Sequence, residues 1–262
     1  MAVAIAIGAL HSGNAAAAEI RVGGTGTAAG MLQEVGARYA AESGVNVNVI
    51  PSLGSSGAIR ALIDGRLDIA VSARPSRPDE AASIIPLLAL RTPFVLATSR
   101  PKPAGMTGAD LAKIYANANS TWPDGTPVRI VLRPRSETDS DLMAAMFPGM
   151  RDAMEAARRR PEVPTAATDQ DNADMAERLT GSLTGTTTTQ LKTEGRRLNV
   201  ITVDGVEPNL GNLESGAYRF AKRLFFLAKA GGSPEIGRFM AFLQSPAGLK
   251  LLRDVEVLPE KP

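Results

Sequence analysis

EIRVGGTGTAAGMLQEVGARYAAESGVNVNVI, residues 19–50, changes period twice, and that change decides the fold class. Ile20 and Val22 alternate with polar neighbours and run into Gly23 and Gly24, which predicts a strand entering a loop. Leu32, Val35 and Tyr39 then recur at helical spacing between Ala28 and Ser43, with Gly44 as the stop. Val45, Val47 and Val49 alternate again and predict a second strand. Just downstream, Gly54-Ser55-Ser56-Gly57 opens a helix carrying Ile59, Leu62 and Ile63, closed by Gly65, and Leu67 to Ser72 reads as a third strand. This β-loop-α-β-loop-α-β order specifies a parallel sheet with crossover helices.

Thr92 to Thr98 is a further strand-like run. Helices are predicted over 110–115, 139–147, 152–160 and 171–179, and strands over 128–132 and 199–203. The Thr-rich stretch from Thr184 to Thr189 reads as a strand-to-helix turn. An apolar run follows from Leu224 to Ala228. Ile236, Phe239, Met240 and Leu243 then form one helical face, and Ser245-Pro246 restarts a last helix with a cap and a proline at its first position.

The composition narrows the function. The 262 residues are 44% hydrophobic and 21% charged, with a net charge of +2, which is ordinary globular chemistry. No Lys/Arg cluster forms a backbone-binding stripe, so no nucleic-acid partner is implied. Arg158-Arg159-Arg160 ends a predicted helix, where cations complement the dipole. Residues 1–18 read as a secretory signal peptide: an apolar run from Ala2 to Leu10, then small residues ending Ala16-Ala17-Ala18. Cleavage near Ala18 makes Glu19 the mature N-terminus, and the missing basic n-region points to a start upstream of Met1. The chain has no cysteine, and its one histidine, His11, lies in the segment to be removed. The mature chain therefore lacks the commonest general base and transition-metal ligand. No cofactor and no metal site are implied.

Three loops share one design: Gly23-Gly24-Thr25-Gly26-Thr27-Ala28, Gly54-Ser55-Ser56-Gly57 and Arg133-Pro134-Arg135-Ser136-Glu137-Thr138. Each follows or flanks a strand, opens a helix, and offers hydroxyls and free backbone N–H groups there. Such donors at the positive end of a helix bind anions, and glycine lets the backbone approach closely. The spacing fits neither a P-loop nor a dinucleotide fingerprint. The expected donors are the hydroxyls of Thr25, Thr27, Ser55, Ser56, Ser136 and Thr138 and the N–H groups of Gly26, Gly57 and Thr138, with Arg133 as the main cation.

These stretches resemble the substrate-binding proteins of bacterial phosphate ABC transporters. The resemblance is carried by Gly24-Thr25-Gly26-Thr27, by Gly54-Ser55-Ser56-Gly57-Ala58-Ile59 and by Asp68-Ile69-Ala70-Val71-Ser72-Ala73-Arg74-Pro75. It extends to Leu111-Ala112-Lys113-Ile114-Tyr115 with Trp122, to Arg133 with Ser136-Glu137-Thr138, and to Leu198 through Pro208. It implies an α/β, two-lobed, type II periplasmic-binding-protein-like fold, each lobe a mostly parallel sheet flanked by helices. Residues 19–93 plus 206–262 would form lobe one and 94–205 lobe two, with hinge crossovers near 94–98 and 201–205. Trp122 would be a packing residue. The implied function is non-enzymatic: a periplasmic monomer that captures a small oxyanion, phosphate foremost, for the membrane permease of an ABC transporter. Arg74 is a second candidate cation.

Two positions depart from the family pattern. Ala73 stands where the family's phosphate receptors carry an Asp that accepts the proton of phosphate, and Arg133 lies three residues before Ser136, where four is usual. Glu137, Asp139 and Asp169 are the candidates for the missing acceptor. Other oxyanions (molybdate, tungstate, sulfate) stay open. A hydrolase using Ser or carboxylates is the alternative from another class, but no Ser-x-x-Lys or Gly-x-Ser-x-Gly motif is present. The effector half of a transcription regulator would need a DNA-binding segment where the export-like peptide lies. Asp169, Asp171 and Asp174 read as an acidic helix start, not a cation site.

Overall fold

The computed structural model describes residues 19–260; the predicted signal peptide lies outside them. In chain order the first half comprises β1 (Glu19–Gly24), α1 (Ala29–Ser43), β2 (Asn46–Ile50), α2 (Gly54–Ile63), β3 (Ile69–Ser72), α3 (Pro78–Ala81), β4 (Ile84–Thr98), α4 (Gly108–Ala116) and β5 (Arg129–Ile130). The second half comprises α5 (Thr138–Met146), α6 (Met150–Arg158), α7 (Asp169–Arg178), β6 (Ser182–Thr187), α8 (Thr188–Thr193), β7 (Asn199–Val200), α9 (Leu210–Ser215), β8 (Ala221–Lys229), α10 (Pro234–Gln244), α11 (Pro246–Asp254) and β9 (Leu258–Pro259). No helix of the described residues is long and apolar enough to cross a membrane.

The strands run in the order β2-β1-β3-β8-β4-β6-β5. β2, β1 and β3 are parallel, as the opening βαβαβ pattern requires, and β8 joins β3 antiparallel. Strict alternation covers both faces. Ile69, Val71, Leu224 and Phe226 enter one core with α1, α10 and α11, where Tyr39 packs on Phe239 at 5.0 Å between ring centroids. Ala70 and Leu227 turn the other way onto Ile59 and Leu62 of α2. Each such buried Leu or Phe contributes roughly 1.5–3 kcal/mol.

β4 links the halves. Through Pro93 it pairs antiparallel with β8, and from Phe94 it pairs with β6. Pro93 has no N–H to donate, so the ladder changes partner where a backbone donor is already missing. Beyond the switch, Phe94 and Leu96 enter a second core with Tyr115, Trp122, Met143, Met154 and Leu183. Trp122 is buried there and its Nε1 donates to the Gly181 carbonyl, which makes it a packing residue.

The chain re-enters the first core with β8. Ile201 and Val203, read from sequence as a return crossover, are buried in the second core, and Val206 bridges back to Val203. Phe220 packs on the second core too, and Tyr218 Oη donates to the Phe94 carbonyl. The segment between Val206 and Tyr218 touches both halves, since Glu214 of α9 pairs with Arg253 of α11. The Thr-rich stretch is β6 running directly into α8. α11 starts as its sequence implies, with Ser245 Oγ accepting from the Gly248 N–H and Pro246 at the first helical position.

Candidate functional site

The first loop leaves β1 through Gly24, which lies so close to β3 that an added Cβ would meet the Val71 carbonyl oxygen at 1.9 Å. Only glycine fits there, and the constraint aims the next residues across the molecule. Thr25 and Thr27 are both buried. Thr25 lines a cleft with Arg133, on the loop after β5, and both threonines reach Asp169, the first residue of α7. An added Cβ at Gly26 would meet Asp169 Oδ2 at 2.7 Å and Gln170 Oε1 at 2.6 Å, so the second half of the chain also touches this loop closely.

One carboxylate gathers the donors. The Thr27 N–H donates to Asp169 Oδ2 at 2.9 Å and Thr25 Oγ1 donates to the same oxygen at 3.4 Å. Asp169 Oδ1 lies 3.6 Å from Arg133 Nη2 and 3.5 Å from Lys222 Nζ. Arg133 is anchored from behind, its Nη1 donating to the Ala166 carbonyl at 2.6 Å, and Glu137 lies 3.4 Å from its Nη2. Lys222, from β8, donates to Thr27 Oγ1 at 2.8 Å and sits 2.5 Å from Asp139 Oδ1 on α5. Beside this cluster is a cleft of about 130 Å³ lined by Thr25, Gly26, Ser52–Gly54, Arg133, Glu137 and Ala167–Gln170. That is well above the roughly 10–15 Å³ that one water needs, enough for a small ion with its contacts.

Burial dominates the electrostatics. It pushes the Asp139 carboxyl up, and the attraction of Lys222 only partly offsets it. Burial acts the same way on Asp169, but Lys222 and Arg133 together outweigh it and hold that carboxyl below its ordinary value. Burial lowers Lys222, and Asp139 and Asp169 reverse this, so its ammonium stays charged. The cluster thus pairs Lys222 and Arg133 with Asp169 and a carboxyl, Asp139, that protonates readily.

The other residues singled out from sequence sit elsewhere. Ser55 Oγ accepts from the Ala73 N–H, closing the α2 start onto the end of β3. Ser56 and Gly57 are exposed, and Ser56 Oγ accepts from Arg74. Arg74 is committed to Glu80 at 2.8 Å on both guanidinium ends, the pairing with a nearby acid that its position allows. Ser136 is exposed and Thr138, half-buried, begins α5. The structure therefore brings together Thr25, Gly26, Thr27 and Arg133 and leaves Arg74 and Ser136 out. Asp169 and Asp139, two of the three candidate acceptors, are in the cluster, and Glu137 is at its edge. Asp171 completes a capping box with Thr168 and Asp174 pairs with Arg196, so the acidic helix start explains those two and not Asp169. Among the described residues no His/Cys/Asp/Glu group is arranged to hold a metal ion.

Lys222 lies just outside the apolar run Leu224 to Ala228, so hydropathy alone does not mark it. Its signal was parity: Lys222 shares the inward face of Leu224, Phe226 and Ala228, and an inward lysine on a core strand needs buried partners.

The fold has close relatives among solved structures. A protein of Clostridium perfringens described as a phosphate ABC transporter substrate-binding protein, solved with bound phosphate, superposes with a TM-score of 0.75 at 14% identity over 93% of this chain and 100% of that one. An ABC-type phosphate transport receptor from Vibrio cholerae gives 0.60 at 16% identity, covering 94% and 100%. The periplasmic molybdate-binding protein of Azotobacter vinelandii gives 0.61 at 10% identity, covering 93% and 99%. At these identities the likeness is one of fold. No curated protein matches the chain by sequence. The family model for the PBP superfamily domain matches residues 10–247, and the chain belongs to that superfamily.

Proposed function

We propose that this chain is a solute-binding protein that captures a small oxyanion, phosphate foremost, between its two lobes and presents it to the membrane permease of an ABC transporter. The observation that carries this reading is the convergence of the Thr25–Thr27 loop, Arg133 and Lys222 on one buried carboxylate at the junction of the halves. Donors that hold a carboxylate there suit the oxygens of a free oxyanion, and a guanidinium can hold two of them. Asp139 favours phosphate over sulfate or molybdate. A buried carboxylate beside the site accepts a hydrogen bond from the hydroxyl that phosphate retains near neutral pH and repels an oxyanion with none. The two relatives described as phosphate proteins agree with this choice.

We take the lobes to meet at Pro93–Phe94 and Phe220–Ala221 and to close about those passages on the ligand. The secretory segment before Glu19 supports a periplasmic site of action, and a mature chain without His or Cys suits a receptor, which we take to act as a monomer, better than a hydrolase. Calorimetry of the purified mature chain against phosphate, sulfate, molybdate and tungstate tests the reading, with phosphate expected to bind most tightly. Small-angle scattering is expected to show a smaller radius of gyration with phosphate. Silence toward all four anions would refute the oxyanion assignment.

A further inference from the structure

We propose that Asp169 is the resident anion of this site and sets its selectivity: an incoming anion binds by displacing the Asp169 carboxylate from Thr25, Thr27, Arg133 and Lys222. The inference rests on the oxyanion reading above and adds a competitor to it. Two donors of the Thr25–Thr27 loop, the Thr27 N–H and Thr25 Oγ1, are already on Asp169 Oδ2, and both buried cations lie 3.5–3.6 Å from Oδ1. The carboxylate is not there by accident of an exposed side chain. It is 5% exposed, and its helix is tied in place, with Gln190 Nε2 donating to the Asp169 carbonyl and Gln170 Nε2 donating to the Gly26 carbonyl across the junction.

Charge requires displacement rather than addition. Lys222 and Arg133 are opposed by Asp139 and Asp169, so the buried cluster has no spare positive charge for a dianion. Burying two more negative charges against a balanced set carries a desolvation penalty with no compensating partner. Turning Asp169 out toward the adjoining cleft, which its side chain already lines, frees Thr27 N–H, Thr25 Oγ1 and both cations at once.

The exchange also selects the ligand. A free monocarboxylate would replace one carboxylate by another on the same donors and would compete against a tethered group, whose effective concentration is on the order of millimolar or more. Such ligands gain nothing. An oxyanion with higher charge and more acceptor oxygens does gain, because it engages Arg133 and Lys222 more strongly and offers oxygens to donors a carboxylate cannot reach.

Asp169→Asn keeps the shape and removes the competing charge. By calorimetry the variant is expected to bind phosphate at least tenfold more tightly than the wild type and to acquire measurable affinity for acetate and lactate, which the wild type ignores. Phosphate binding that is unchanged or weaker in the variant, while the wild type binds, overturns the proposal and makes Asp169 a contact of the bound ligand. Variant silence toward acetate and lactate overturns the selectivity role. Silence of both proteins toward every anion is a different result and removes the oxyanion reading with it. Should Asp169→Asn not fold, Gln170→Ala releases the same helix from Gly26 with no charge change. It is expected to tighten phosphate binding about twofold or more, and an unchanged or weaker value overturns the proposal.

Discussion

Lys222 Nζ lies 2.5 Å from Asp139 Oδ1, and both side chains are buried although one belongs to β8 of the first half and the other to α5 of the second. The same ammonium donates to Thr27 Oγ1, so one lysine ties the first loop to the central half of the chain. Removing one member of a buried ion pair leaves an uncompensated charge, which costs about 3–5 kcal/mol. Lys222→Met is therefore expected to lose roughly that much stability in urea unfolding. Lys222→Met with Asp139→Asn is expected to recover part of it, because the second change removes the orphaned carboxyl. Additive losses would show that the two residues are not coupled.

Arg133 and Arg74 are separated by their partners. Arg133 is 6% exposed and aims Nη2 at the cluster, whereas Arg74 is held bidentately by Glu80. Arg133→Ala is expected to abolish detectable phosphate binding, since it removes one of the site's two buried cations. Arg74→Ala should stay within about twofold of the wild type, well under the tenfold that 1.4 kcal/mol brings. Calorimetry on the two variants decides the matter; equal losses would move the site toward β3.

Asp139 predicts a pH dependence of stability. Its carboxyl is pushed up to about 6, first by burial, against the pull of Lys222. A raised value means the folded protein holds the proton more tightly than the unfolded chain, so this contribution is complete below about pH 4 and is lost as pH rises through about 6. Asp169 works in the opposite sense. It is held at about 2 because Lys222 and Arg133 outweigh its burial, so its contribution is present above about pH 4 and lost as pH falls toward 2. Between about pH 4.5 and about pH 7.5 only Asp139 of the two changes state. Asp139→Asn should therefore gain stability relative to the wild type across that interval in paired urea titrations. A pH-independent difference would show that Asp139 does not titrate there.

Behind the site, Tyr115 Oη and Arg133 Nε are buried without a hydrogen-bond partner among the described residues. Both side chains line one small space of about 10 Å³, together with Asp139, Ser140 and Thr184. That is the space one water needs, and a buried water with two to four polar partners offsets the cost of unpaired groups. A high-resolution crystal structure should show an ordered water within hydrogen-bond distance of Tyr115 Oη and Arg133 Nε. Tyr115→Phe should weaken that water's density. Featureless density at the position in the wild type would count against a water link.

Sequence by itself determined the parts whose physics is local. The βαβαβ opening, the αL stop at Gly44, the Ser245 cap and the apolar faces of α1 and α10 follow from period and capping chemistry, and the structure has them all. It also marked Thr25, Gly26, Thr27 and Arg133 as candidates, because glycine-flanked hydroxyls and a loop arginine at helix starts can offer donors to an anion. Tertiary structure alone decided which loops meet. Gly24 against Val71 and the partner switch at Pro93 aim the first loop at α7, residues far apart in sequence, while the α2 start is turned onto β3 and Arg74 onto Glu80. Whether a polar side chain faces a ligand or a neighbour depends on such long-range packing. That is why Lys222 and Asp169, an ordinary strand residue and an ordinary helix start in the sequence, become the charged centre of the folded molecule.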